Sequence, residues 1–173
     1  MIAAHVPLLW VEEGAGRVFL EGHIAAGNEL KYTLIRGEEL LAIFQGPHAY
    51  VSSSWYMHEN VPTWNYMAVH VYGKPEILEG EALYLHLRDM VNKYENGRNP
   101  RFSLETMNAK ALAGQMKGIV GFRMEASRVE ASFKLSQNRN ATDHGRIIEQ
   151  LENSGNPLDL AVAEAMKKHS SNQ

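Results

Sequence analysis

The run FQGPHAYVSSSWY (residues 44–56) and, four residues later, VPTWNYMAVHVYG (61–73) carry the longest strand signal in the chain. Within 63–73, Met67, Val69 and Val71 alternate with Ala68, His70 and Tyr72, the period of a strand whose two faces are both partly buried. The Gly46-Pro47 break predicts two strands before it and after it, at 39–45 and 48–52. Toward the N-terminus, residues 2–11 (IAAHVPLLWV) read as a buried strand. The turn EEGAG joins it to a second strand at 17–25, with Val18, Leu20, Gly22 and Ile24 on one face and Phe19, Glu21, His23 and Ala25 on the other.

Beyond 73 the period changes. Leu83, Leu87, Met90, Val91 and Tyr94 recur at helical spacing over 81–94, with Gly97 beyond as a stop. Ser103 is the predicted N-cap of a second helix reaching about Gln115. Strand spacing returns at 118–125 and 128–135, and a helical pair follows at 143–153 and 157–168. The second of that pair opens Asn156-Pro157-Leu158-Asp159, a cap, a first-turn proline and an acid at the positive helix end. The class is α+β, mainly β: an antiparallel sheet or small barrel with helices at its side. The alternating βαβ order of a Rossmann-type domain is missing, and one domain over 1–173 is expected.

Composition narrows the chemistry. The 173 residues include no Cys, which excludes disulfides, thiolate nucleophiles and Cys-ligated metal clusters. Seventeen Lys and Arg against twenty Asp and Glu leave a formal charge of −3, a poor footprint for direct DNA binding. No basic residue precedes Arg17, so a secretory leader is not expected, and no apolar run spans a bilayer; a cytoplasmic protein without membrane contact is the expectation. The eight His show no i, i+4 pair and no H-E-x-x-H run. A strand site from His5, His23 and His70 is conceivable, but nothing in the spacing demands it and no metal is expected. Gly-rich phosphate loops and a G-x-S-x-G elbow are absent too.

Three polar patches remain. GHIAAGN (22–28) places His23, Ala25 and Asn28 at a strand end, where small residues let a ligand approach the backbone; a turn with one satisfied histidine reads at least as well. In 44–66, Gln45, Ser52, Ser54 and Asn65 stand beside Trp55 and Trp64. Hydroxyls and amides there suit ring heteroatoms or a phosphate, and flat aromatics suit a planar ligand. A Ser-stitched loop at an aromatic core rim is the competing reading. FKLSQNR (133–139) groups Lys134, Ser136, Gln137 and Arg139 at a strand-to-helix junction, which suits an anion or simply a charged strand edge.

Taken in order, FQGPHAYVSSSWY, VPTWNY with AVHVYG, and FKLSQNR closely resemble the PaiB-like family, from HVPLL at 5–9 to about Leu151. That family is named for negative transcriptional regulation and has an FMN-binding split-barrel fold. The resemblance implies a six-stranded antiparallel split β-barrel with flanking helices, a homodimer and FMN sites at the dimer interface. Relatives carry another helix and strand before the HVPLL-like segment, so a first strand is expected to be missing. Relatives also read like GHxARANP at 22–28. Here Ala26 and Gly27 stand in place of Arg-Ala, and Glu29 in place of Pro, an acid that repels a phosphate dianion. Ser53 replaces a usual Pro.

Two functions follow from the resemblance. In the first, the chain binds flavin, with or without low oxidoreductase activity: His23 and Asn28 approach the phosphate, with Lys134 and Arg139 as cations. Gln45, Ser52 and Ser54 then serve the ribityl chain or ring edge, Trp55 or Trp64 covers the isoalloxazine, and Ala25, Asn65, Ser136 and Gln137 are further cofactor-binding candidates. No residue qualifies as an obligatory acid or base, so none is named catalytic. In the second, the chain is a ligand- or redox-responsive regulator. A haem-handling split barrel is a third reading that no motif selects.

Overall fold

The computed structural model describes residues 2–170. They divide into two compact units, Met1–Leu41 with Tyr72–Arg128, and Ala42–Val71 with Val129–Gln173. Among the described residues the mainly-β, antiparallel class with flanking helices is found, with seven strands in a sheet of four and a sheet of three.

The sheet of four belongs to the first unit. Strands β1 (Leu9–Glu13), β2 (Arg17–Ala25), β5 (Pro75–Leu78) and β6 (Ile119–Glu125) lie in the order β1-β2-β6-β5. The β1–β2 hairpin pairs Leu9 with Glu21 through Glu13 with Arg17, and its turn places Gly16 at φ +79°. Strand β1 is shorter than the predicted 2–11. Residues 2–8 form no ladder; Val6 and Leu8 instead pack on Ile24, Leu34 and Phe122. Their apolar character reflects that burial, and Pro7 lacks a donor for a ladder. Strand β5 escaped the sequence reading. Pro75 opens it at a sheet edge, where a missing N–H costs least.

Helix α1 (Lys31–Ile35) is a single short turn that buries Leu34, too brief to show a period. Helix α2 (Gly80–Glu95) buries Leu83, His86 and Met90; Tyr94, assigned to the same stripe by spacing, is exposed. Helix α3 (Ala109–Lys117) starts later than predicted. Asn108 caps it, its Oδ1 accepting from Lys110 N and Ala111 N at 3.0 and 3.3 Å. Ser103 precedes only a 3-10 turn at Leu104–Thr106 and makes no side-chain cap bond.

The sheet of three runs β3-β4-β7, with β3 (Leu40–Val51), β4 (Thr63–Gly73) and β7 (Arg128–Lys134). Strand β3 passes unbroken through Gly46-Pro47, where two strands were predicted. It is an edge strand, so Pro47 can turn its donor-free nitrogen away from the ladder. Helices α4 (Ala141–Asn153) and α5 (Pro157–Ser170) complete the second unit. Ala49, Val51, Leu135, Ile147, Leu151 and Met166 lie in its core, each of the side chains larger than Ala49 worth about 1.5–3 kcal/mol when fully buried. The Asn156 cap follows the sequence, its Oδ1 accepting from Leu158 N at 2.9 Å; α4 starts two residues before the predicted 143 and is capped by Asn140, whose Oδ1 accepts from Asp143 N at 2.9 Å. No helix among the described residues is long and apolar enough to cross a membrane.

Candidate functional site

The second unit carries most of the candidate residues. Ala49 and Val51 of β3 point into the core, so the strand period turns His48 and Tyr50 outward. On neighbouring β4, Asn65 is fully buried and Trp64 is 46% exposed. The Trp64 ring stacks on His48 with centroids 5.6 Å apart, and Tyr50 tilts against it at 6.2 Å. The result is an aromatic platform facing solvent, with Gln45 exposed on the same edge strand. Two buried polar atoms in this stretch, His48 Nδ1 and Tyr56 Oη, have no hydrogen-bond partner. Buried polar groups are otherwise nearly always paired. A flat aromatic ligand with ring acceptors therefore fits the residues present.

Below the platform, the loop after β3 turns through a 3-10 segment at Ser53–Trp55. Ser52 Oγ accepts from Ser54 N at 3.2 Å and lies 2.9 Å from Ser54 Oγ. These hydroxyls are close together and only partly buried. Trp55 packs against the core.

Other candidates are committed internally. Asn65 Oδ1 accepts from the buried Ser136 hydroxyl at 3.0 Å, and its Nδ2 approaches Met166 Sδ at 3.5 Å. Gln137 folds onto its own turn: its Oε1 accepts from Leu135 N at 2.6 Å and its Nε2 donates to Phe133 O at 2.7 Å. Lys134 Nζ bonds the Thr63 hydroxyl. Arg139 lies 4.9 Å over the Tyr56 ring and lines a cavity of about 290 Å³ with Leu135, Gln137, His144 and His169. Burial lowers the pKa of His144 below the ordinary histidine range, against a Leu135 backbone contact that raises it.

In the first unit, His23 and Asn28 are also engaged. His23 Nδ1 lies 3.1 Å from His86 Nε2 on α2, and His86 Nδ1 faces Glu21 Oε2 at 3.6 Å. Burial, and then repulsion from His86, hold the His23 pKa below its ordinary value. Asn28 Oδ1 accepts from Leu30 N at 2.9 Å and shapes the entry to α1. Ala25 ends β2, exposed and paired with Ile119. At Gly22 the side chains of the first unit leave no room for a ligand: a Cβ there would sit 2.7 Å from Leu8 Cδ2 and 3.1 Å from Phe122. Lys31, not singled out by sequence because α1 was not foreseen, donates to Ala26 O at 2.7 Å. A cation thus stands beside the position where Ala26 replaces arginine.

Sequence reasoning missed His48, Tyr50 and Arg146 in the second unit, and also Asp143, 0% exposed. Its Oδ1 accepts from Met57 N at 2.8 Å and its Oδ2 from Asn140 Nδ2 at 2.8 Å. The Met57 N–H holds its carboxyl below the usual carboxylate range against the opposing effect of burial, and Asn140, His58 and Arg139 add to it. The signal was the Asn-x-x-Asp spacing at 140–143, which marks a reciprocal helix cap. Among the described residues no group of three or more His, Asp or Glu is arranged to hold a metal.

Two antiparallel sheets with flanking helices place the chain in the split-barrel class. The FAD and heme binding protein from Mycobacterium smegmatis shares the fold with a TM-score of 0.55 at 13% identity. The match covers 80% of this chain and 62% of that one, so the chain spans less than two thirds of that neighbour. Residues 1–128 match the family described as "Putative FMN-binding domain", and the chain belongs to that family, in its PaiB-like branch. Among similar proteins is the protease synthase and sporulation protein PAI 2 of Bacillus subtilis. It is 46% identical over 166 residues, 96% of this chain and 80% of that protein. An uncharacterized protein of Saccharomyces cerevisiae is 37% identical over 90 residues, covering 49% of this chain and 53% of that one.

Proposed function

We propose that the protein binds FMN on the outward face of β3 and β4 and acts as a ligand- or redox-responsive, PaiB-like regulator. The observation that carries the flavin part is the exposed His48–Tyr50–Trp64 platform with an orphaned His48 Nδ1, found in a chain of the FMN-binding family. Trp64 and Tyr50 cover the ring, Gln45 and the Ser52–Ser54 pair reach its polar edge, and Trp55 backs the loop. Lys134 and Arg139 supply positive charge for the phosphate. In the first unit, taken by itself, His23, Ala25 and Asn28 are proposed as strand-end ligand contacts. Asn65, Ser136 and Gln137 act from behind, by holding β4 and the turn after β7. FMN supplies the redox chemistry; the chain orients it and tunes its surroundings. Purified protein titrated with FMN should quench flavin fluorescence to saturation, and an absence of saturable quenching refutes the flavin reading.

Regulation rests on the family resemblance, and it is proposed to act through a ligand or partner protein. The charge of −3 disfavours a direct DNA footprint. A gel shift that shows sequence-preferring binding surviving moderate salt would overturn that indirect route. The alternative activity is an FMN-dependent oxidoreductase, read by NAD(P)H consumption; the heme bound by the M. smegmatis neighbour makes haem a further ligand to titrate. The same sheet exposes Ile43 at 61% and Val129 at 52%, together with Phe44 and Phe133. Exposed apolar faces of this kind are interaction surfaces, and a second copy of the chain is the proposed occupant. A monomeric sedimentation profile at micromolar concentration refutes the homodimer. A cytoplasmic location completes the proposal.

A further inference from the structure

We infer that helix α4, which lies beyond the family-matched residues 1–128, positions the Ser52–Met57 loop for flavin, with Asp143 and Arg146 as the positioning residues; the inference rests on the flavin reading above. Left to itself the loop is weakly held. Its internal backbone bonds are long, Trp55 N to Ser52 O at 3.3 Å and Tyr56 N to Ser53 O at 3.4 Å. Helix α4 grips it on both sides of Tyr56. Asp143 Oδ1 accepts from Met57 N at 2.8 Å, and Arg146 Nε donates to Trp55 O at 2.8 Å. The two groups sit three residues apart and share one helix face. Between them the Tyr56 ring enters the core beside Ile147 and Leu151.

Burial of Tyr56 alone would anchor the segment, but an apolar contact is non-directional and leaves backbone rotation free. Two charge-assisted hydrogen bonds to consecutive parts of the backbone fix where the Trp55 carbonyl and Met57 amide point. The directions of Ser52, Ser54 and Trp55, the groups proposed to meet the flavin, follow from that. A fully desolvated carboxylate is a costly way to add stability alone, since an apolar residue of similar volume usually packs as well. Its use here is explained by orientation. His58 Nδ1 at 3.3 Å from Asp143 Oδ2 closes the outer side of the clamp.

Arg146 is exposed, so Arg146→Ala removes one grip without opening the core. The full chain carrying Arg146→Ala, Arg146→Lys or Asp143→Asn is compared with wild type in two measurements. One is amide hydrogen exchange over residues 52–57, and the other is FMN affinity with the shape of the bound flavin's visible band. Arg146→Ala should keep the wild-type circular dichroism, speed exchange across the loop and weaken FMN about tenfold, the effect of losing the charge-assisted hydrogen bond to Trp55 O together with the weaker one from Arg146 Nη1 to Met57 Sδ at 3.1 Å. Arg146→Lys, which can still donate to Trp55 O, should restore most of the affinity. Asp143→Asn, which keeps an acceptor but loses the charge, should fall between. Faster exchange with unchanged FMN affinity overturns the positioning role, and unchanged exchange overturns the clamp itself. Wild type that fails to bind FMN overturns the flavin reading and the clamp's role in it, while the exchange measurement still reads whether α4 orders the loop.

Discussion

Replacing Asn65 by Ala removes both hydrogen-bond partners of a side chain with 0% exposure. The Ser136 hydroxyl, 4% exposed and bonded to Asn65 Oδ1 at 3.0 Å, is left without an acceptor. A stranded buried hydroxyl costs about 1–3 kcal/mol. The emptied amide space, roughly 40 Å³, adds about 1 kcal/mol at ~24 cal/mol per Å³. The contact to Met166 Sδ at 3.5 Å is weak and adds little. The expected loss is about 2–4 kcal/mol, which for a chain of this size lowers the melting temperature by about 4–16 °C. Ser136→Ala strands Asn65 Oδ1 instead and keeps the Cβ at φ +57°, so backbone strain is nearly the same before and after. The double variant has no orphan left, so it should cost less than the sum of the singles, by about 1 kcal/mol. Urea melts of the four proteins measure the cycle, and FMN titration of the folded fraction measures ligand contact. If Asn65→Ala leaves the melt where it was but abolishes FMN binding, Asn65 faces the ligand and the internal role is wrong.

Trp64→Ala should change the melt only modestly, because the ring is about half exposed and lies outside the core, and weaken FMN about 2- to 12-fold, the range for one aromatic pairing; isothermal titration checks it. Gly73→Ala should be severe: a Cβ there would lie 2.1 Å from Glu125 O, a backbone atom that cannot step aside. The cost should exceed the ~1–3 kcal/mol of ordinary overpacking and show as a large drop in the urea midpoint. The lowered pKa of His23 and of His144 sets a pH dependence. Between the folded values and the ordinary value of about 6.5 the unfolded chain binds more protons, so stability should rise with pH through that window and fall on acidification. His23→Gln should flatten the dependence in urea melts from acid to neutral pH.

Much of the fold was legible because periodicity reports which face is buried. Strands at 17–25 and 63–73 and the helix at 81–94 agree with β2, β4 and α2 within a residue. The errors share one cause: a local signal lacks knowledge of its neighbours. Gly46-Pro47 reads as a break until β3 is seen to be an edge strand. Residues 2–8 read as a strand until Leu8 is found against Gly22 and Phe122. Ser103 reads as the cap because a helical stretch follows it, and the chain path puts the cap of α3 at Asn108 instead.

The candidate site divides the same way. Composition and motif order alone established the mainly-β class, the absence of Cys chemistry, the low positive charge and the PaiB-like resemblance, since these depend only on which residues occur and in what order. Tertiary structure decided which polar residues are free to meet a ligand. Asn65, Ser136 and Gln137 look like cofactor contacts in the sequence but spend their hydrogen bonds inside the protein. Asp143 looks like a helix cap but also holds the Met57 amide, 86 residues away. A hydrogen bond saturates its partners wherever folding brings them, and a linear sequence does not record which pairs have met.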